Sequence, residues 1–145
     1  MTGTWFMGAA KGDAIKIVGD GHNHWAMIHV DDLAQGYLLA AKNRVSGQAL
    51  NLVDASRDTV MEMVESAARA AGHVPQFEFL PVDKAIQDMG VLAEALALDQ
   101  IVDAAKARRI LNWQARHQGF VTEVDTYFRA WQASQQDSFH GDCQL

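Results

Sequence analysis

The chain predicts an α/β fold with a small mixed sheet and about five helices. Three observations carry this expectation. Short runs of β-formers sit between turn residues, as in Ile15-Lys16-Ile17-Val18 before Gly19-Asp20-Gly21. Longer segments place apolar residues at helical spacing, as in Val60, Met63, Val64, Ala67, Ala68 and Ala71. Strand and helix patterns also follow one another along the chain, instead of gathering in separate blocks.

The organising unit is residues 15–43. Ile15, Ile17 and Val18 read as a strand, and Gly19-Asp20-Gly21 as its turn. Met27, Ile28 and Val30 read as a second strand. Asp31 or Asp32 is then expected to cap a helix whose stripe is Leu33, Tyr37, Leu38 and Ala41. Ahead of this unit, Trp5, Phe6 and Met7 form an apolar cluster of no clear period.

After a polar link, Ala49 to Val53 reads as a buried strand. Asp58 or Thr59 is expected to cap the helix that begins at Val60, and Gly72 to end it. Phe77-Glu78-Phe79-Leu80-Pro81 alternates as a strand. Asp83 opens a helix that Gly90 interrupts, and Ala93 to Val102 continues as helix. Asp103 is placed to cap a helix facing inward through Ala107, Ile110 and Leu111. Gly119 breaks the chain before a last helix, Phe120 to Trp131. From Ser134 the pattern is lost. The expectation is one domain over residues 1–133 and a disordered tail over 134–145.

Composition bounds the function. A chain of 145 residues, 49% hydrophobic, can bury one sizeable core. A net charge of −6 argues against a nucleic-acid partner, because phosphate contacts need clustered Lys and Arg. The basic residues Lys106, Arg108, Arg109 and Arg116 read as a solvated helix face. No apolar run reaches the roughly 20 residues that cross a bilayer, so no membrane partner is expected. With one cysteine, Cys143, and no signal-peptide pattern at the N-terminus, a cytoplasmic setting is expected.

Four constellations could carry chemistry. His22 and His24 form an H-x-H pair near Asp20, but no third ligand stands at a diagnostic spacing, so no metal is expected. His29 reads as a packed, hydrogen-bonded residue. Asp31 and Asp32 sit where helix caps sit, and the structural role is preferred to paired-carboxylate chemistry. No Ser or Cys occupies a nucleophile elbow. Gly19-Asp20-Gly21 precedes a strand, whereas a phosphate cradle needs glycines leading into a helix N-terminus, so it reads as a plain turn.

The stretches IVGDGHNHWAMIHVDDLA, ALNLVD with a helix from Thr59, ALALDQ, and KARRILNW with RHQGFVTEV resemble, in order and spacing, the C-terminal half of an extended short-chain dehydrogenase/reductase of the NAD-dependent epimerase/dehydratase type. Together they cover about residues 15–131. The resemblance implies a substrate-domain half of a Rossmann-type protein. It also implies NAD(P) for full-length relatives, held by a G-x-x-G-x-x-G turn and used with a Tyr-x-x-x-Lys pair.

Neither motif is present in these 145 residues. Tyr37 is followed four places on by Ala41, and Lys42 lies about 140° around the helix from it. Tyr127 is followed by Trp131. No catalytic and no cofactor-binding residue is therefore assigned, and no cofactor is expected for the isolated chain. Trp25 stands at the place where nucleotide-sugar members carry an arginine, which argues against such a substrate. Asn112 and Gln114 replace the Gly and Pro of the family's closing "LGW.P" segment.

Three readings follow. In the first the chain is a non-catalytic, free-standing substrate-domain fragment. In the second it is a subunit of a split enzyme completed by a separate dinucleotide-binding chain. In the third it is a small-ligand or partner-binding module, with His22, His24 and Trp25 as substrate-pocket candidates. A homodimer is expected through surface left bare by the missing half, with residues 1–10 and 49–71 in its interface.

Overall fold

The computed structural model describes residues 2–140. Seven helices surround one small sheet: α1 (Thr2–Lys11), β1 (Ile15–Val18), α2 (Val30–Lys42), α3 (Val60–Ala70), β2 (Phe77–Leu80), α4 (Val82–Met89), α5 (Val91–Ala97), α6 (Ala105–Leu111) and α7 (Phe120–His140). The sheet is a parallel pair, β1 with β2, in which Ile15 faces Phe77 and Val18 faces Leu80. The α/β class holds. The described residues form two parallel strands where a mixed sheet was expected, and more helices than the sequence suggested.

The main core forms where three helices meet β1. Helix α3 buries Val60, Met63, Val64, Ala67 and Ala68 on one face. Its start is fixed by a capping box. The Thr59 hydroxyl accepts from the Glu62 N–H, and the Glu62 carboxylate accepts from the Thr59 N–H at 2.8 Å. Trp5, Phe6 and Ala9 of α1 and Phe120, Val124 and Phe128 of α7 close over that face, with Ile15 and Ile17 beneath. Phe6 stacks on Phe120 at 5.8 Å and meets Phe128 edge-on at 5.4 Å.

Part of the surface expected to be bare is covered by this packing. The Trp5–Phe6 cluster and the apolar face of α3 are covered within the chain, leaving Met7 as the exposed member.

A second core gathers Ala104, Ala107, Leu111 and Trp113 against Ile28 and Leu39 and against Leu50, Leu52 and Val53. These last residues belong to runs expected as strands. Both runs pack their side chains as strands do, yet neither forms a ladder. Asp54 N–H donates to Met27 O at 2.9 Å, and residues 50–53 make no other backbone–backbone bond among the described residues. Leu52 lies so close to α2 that a Cβ on Gly36 would stand 2.5 Å from its Cδ1. The glycine lets Leu52 approach this closely, and a larger residue would push that side chain aside.

The capping expectation for Asp31 and Asp32 is also corrected. The N-cap of α2 is His29, whose Nδ1 accepts from Asp31 N–H at 3.1 Å. The two aspartates lie in the first turn, where the helix dipole favours negative charge. Asp32 is buried, and its Oδ2 accepts from the N–H groups of Arg116 and His117, each at 3.0 Å. Its backbone carbonyl takes the Trp113 indole N–H at 3.0 Å.

Further along, the helix expected over 93–102 ends at Ala97. The N-cap of α6 is Ala104, one residue beyond the expected Asp103, whose carboxylate accepts from the Ala105 N–H from just outside the helix. Helix α7 runs on through Ser134 to His140, where a tail was expected. Residues 141–145 lie outside the described residues.

These contacts separate the two aspartates. Asp32→Ala leaves two inward N–H groups without an acceptor, and bonds to charged acceptors carry about 1.5–3 kcal/mol each. Urea unfolding is expected to show a loss of about 3 kcal/mol for Asp32→Ala and under about 1 kcal/mol for the exposed Asp31→Ala. Equal losses from the two variants would remove the distinction.

Candidate functional site

Two places concentrate chemistry or space. The first lies where α2 and α7 begin. By holding the backbone of residues 116–117, Asp32 lays the His117 ring on His29 at 3.6 Å between centroids, with 20° between planes. Tyr127 also stacks on His29, at 5.6 Å between centroids and 22° between planes. Glu123 ties the cluster together. Its Oε2 accepts from His117 Nδ1 at 2.6 Å and from the Tyr127 hydroxyl at 3.1 Å, and its Oε1 accepts from Gln118 N–H at 2.7 Å.

The charges follow from these bonds. The hydrogen bond to Glu123 raises the His117 pKa above the ordinary histidine value, and the same bond holds Glu123 below its own. Burial, then the hydrogen bond to the Glu123 carboxylate, pushes the Tyr127 phenol far up. Tyr127 is therefore a neutral donor at physiological pH and no base.

His29, Asp31 and His117 each offer one ligand atom within 4.8 Å of the others. The geometry suits stacking better than ligation. An ion in the plane of one ring lies out of the plane of the other, and both Nδ1 atoms are already engaged. Beside the cluster lies a cavity of about 350 Å³ bounded by Phe6, His29, Asp54, Tyr127 and Trp131.

The second place is a cavity of about 410 Å³ between α1, β1, and the α4–α5 turn. Trp5 and Trp25, stacked at 5.5 Å and 17°, form part of its wall with Ile17, Leu80 and Leu96. The segment after α5 is strapped to the loop at 23–25. Trp25 Nε1 donates to Leu96 O at 3.0 Å, Asn23 Nδ2 to Leu96 O at 2.9 Å, and Gln100 N–H to His24 O at 2.9 Å. The ALALDQ stretch is thus a strap that fixes one wall.

The three pocket candidates divide. Trp25 lines the cavity. His24 is bound to Asp99 through both its backbone N–H and its Nδ1, the latter at 2.7 Å, so it fastens the strap. His22 is exposed on the turn, its N–H donating to Asp20 Oδ1, and lines none of the described cavities. The His22–His24 pair does not sit on a strand.

The group that sequence reasoning missed is His117, Glu123 and Tyr127. A signal was present in Glu123 and Tyr127, one helical turn apart on α7. Nothing local ties that pair to His29.

A dinucleotide's pyrophosphate needs a glycine turn that leads into a helix N-terminus, which the turn at Gly19 and Gly21 does not provide. Both glycines have positive φ, but the chain continues to His24 without entering a helix. A Cβ at Gly21 would meet Ile17 and Met61 at 3.3–3.4 Å. The glycine is spent on packing against α3, and the turn does not fit a pyrophosphate cradle.

The family model described as the NAD dependent epimerase/dehydratase family matches residues 1–53. A search of curated proteins finds no match. Among solved structures, an epimerase from Methanothermobacter thermautotrophicus superposes with a TM-score of 0.74 at 19% identity, over 96% of this chain and 38% of that one. A dTDP-glucose 4,6-dehydratase from Bacillus anthracis, solved with NAD, gives 0.72 at 17% identity, over 92% and 39%. A human epimerase family protein, solved with NADPH, gives 0.71 at 24%, over 86% and 42%.

The chain thus spans about two-fifths of the length of these proteins and shares its fold with that part of them. The resemblance to the NAD-dependent epimerase/dehydratase type is supported by the family match over residues 1–53 and by a fold shared with about two-fifths of these proteins.

The His117–Glu123 bond has a pH signature. A raised histidine pKa contributes stability that is complete below the ordinary value of 6.5 and is lost as pH rises through the folded value. A lowered carboxylate pKa contributes above 4.5 and is lost as pH falls through its folded value. The pair therefore stabilises most between these limits. Thermal melts are expected to show Tm falling from pH 6.5 towards pH 9, with a shallower fall in Glu123→Gln. Parallel profiles for the two proteins would exclude the coupling.

Proposed function

We propose that this chain is the substrate-side part of an epimerase/dehydratase-type protein and is non-catalytic on its own, offering a ligand cavity without the means to move a hydride. The single observation that supports this is the pairing of a two-fifths match to such proteins with a glycine turn spent on packing. Within the chain, neither tyrosine has a lysine four residues on. The pair that would relay a proton in those relatives therefore has no counterpart here. Calorimetric titration with NADH and NADPH is expected to give no binding at micromolar concentrations. Micromolar binding of either would overturn the reading.

A second reading, association with another chain, rests on two exposed features. On α2, Val30, Ala34, Tyr37, Leu38 and Ala41 form an outward stripe, with Val30 and Tyr37 each about two-thirds exposed. Beside the second core, residues 50–53 hold backbone groups without a backbone partner among the described residues. An apolar stripe and an open edge are what a partner covers.

The partner is either a second copy, in a two-fold dimer, or a separate dinucleotide-binding chain. Of these the homodimer is the reading adopted for the purified protein, with α2 in the interface. Light scattering at micromolar concentration is expected to give about twice the 15.9 kDa of one chain. Tyr37→Glu is expected to return it to the monomer. A monomeric parent protein would refute self-association.

A further inference from the structure

The cavity between α1, β1 and the α4–α5 turn has a chemical character that none of the similar proteins' ligands shares. Its wall is apolar and aromatic: Trp5, Ile17, Trp25, Leu80, Met89 and Leu96. Few polar side chains reach it: Thr4, Lys16 and Asp88 beside the two indoles. Of the two indole donors on this wall, that of Trp25 is spent on Leu96 O at 3.0 Å. Lys16 is the one cationic side chain on the lining, and it pairs across the sheet with Glu78 at 4.0 Å, both largely in solvent. Asp88 adds a negative charge at the same mouth.

A diphosphate needs several donors and cations converging on its oxygens. No arginine lines this cavity, and the net charge of −6 repels a polyanion at longer range. A volume of about 410 Å³ lies in the range of small-molecule sites. The wall is also preformed, because Asn23, His24 and Trp25 are bonded to residues 96–100 and Trp25 is stacked on Trp5. Binding there spends little on ordering side chains.

We propose that this cavity takes an uncharged, flat, largely apolar molecule and rejects nucleoside diphosphates and their sugars. The walls give it area to cover and aromatic edges to meet, while the mouth sets a single lysine, Lys16, against the carboxylates of Glu78 and Asp88. This rests on taking the cleft as the ligand site of the substrate-side reading. It does not depend on whether the chain binds NAD(P), which the titration above decides separately.

The test uses the whole chain, with 2-naphthol as the neutral probe and UDP and UDP-glucose as the anionic ones, by titration calorimetry at pH 7. The expected result is saturable one-to-one binding of 2-naphthol with Kd below about 100 μM, the range a small ligand reaches when well enclosed. No heat is expected from UDP or UDP-glucose up to about 1 mM.

Two variants tie binding to this cavity. Trp25→Ala is expected to weaken 2-naphthol at least tenfold, but it also removes a stacked, half-buried ring and can disturb folding. Met89→Lys, at the end of α4 and partly exposed, is expected to weaken it by a similar factor with the melting temperature unchanged. Three outcomes overturn the proposal. These are UDP or UDP-glucose binding more tightly than 2-naphthol, 2-naphthol showing no saturable binding, and Met89→Lys leaving its affinity unaltered.

Discussion

The buried carboxylate of Asp32 is the constraint on which the middle of this molecule depends. It sits in the first turn of α2, where the helix dipole welcomes a negative charge, and it is almost wholly withdrawn from water. Taking a carboxylate out of water is costly unless donors replace the solvent. Here the backbone N–H groups of Arg116 and His117 do so, and the neighbouring carbonyl takes the Trp113 indole. Residues 113–117 are thereby fixed to α2. Trp113 enters the second core, and His117 lands on His29. From His117 the chain reaches Glu123, which sets the first turns of α7, and α7 closes the main core over α3. One side chain thus connects two cores that share no buried residue.

Much of the fold was legible because it follows from local rules. The period of α3, its Thr59 cap and its end at Gly72 could be read directly, since capping and helical spacing are properties of a few adjacent residues. So could β1, its turn and β2. What could not be read was pairing. Met27–Val30 and Ala49–Val53 have the side-chain pattern of strands, and Met27, Ile28, Leu50, Leu52 and Val53 do pack inward. A ladder also needs a neighbouring backbone, and no pattern within a segment reports whether one is available. Asp31 and Asp32 failed for a different reason. Both residue types favour helix starts, and the imidazole of His29 took the cap instead.

The candidate site was less legible than the fold. Trp25 lines a cavity wall because the loop that carries it is short and lies between two fixed elements. His24 went to the strap, since Asp99 is 75 residues away and its arrival could not be foreseen. The His29–His117–Glu123–Tyr127 group is assembled from α2, a loop and α7. Its members are unremarkable where they stand in the chain. Only the Asp32 contacts bring them together, and those contacts are long-range.

The two apolar features of this molecule differ in kind, and the difference bears on what each can do. The cavity at Trp25 is walled on several sides, so a small molecule entering it loses most of its water contact at once. The stripe on α2 is convex and shallow, and a small molecule there would keep much of its hydration. Only a broad partner removes enough water from such a surface to offset the cost of association. The extended run at 50–53 adds directionality, because its backbone groups can bond only to an extended segment laid alongside. Without a partner, such groups bond to water. Pairing then exchanges bonds to water for bonds to protein, with a small net gain for each. The apolar stripe must therefore supply most of the affinity, and the open edge fixes the orientation of whatever binds.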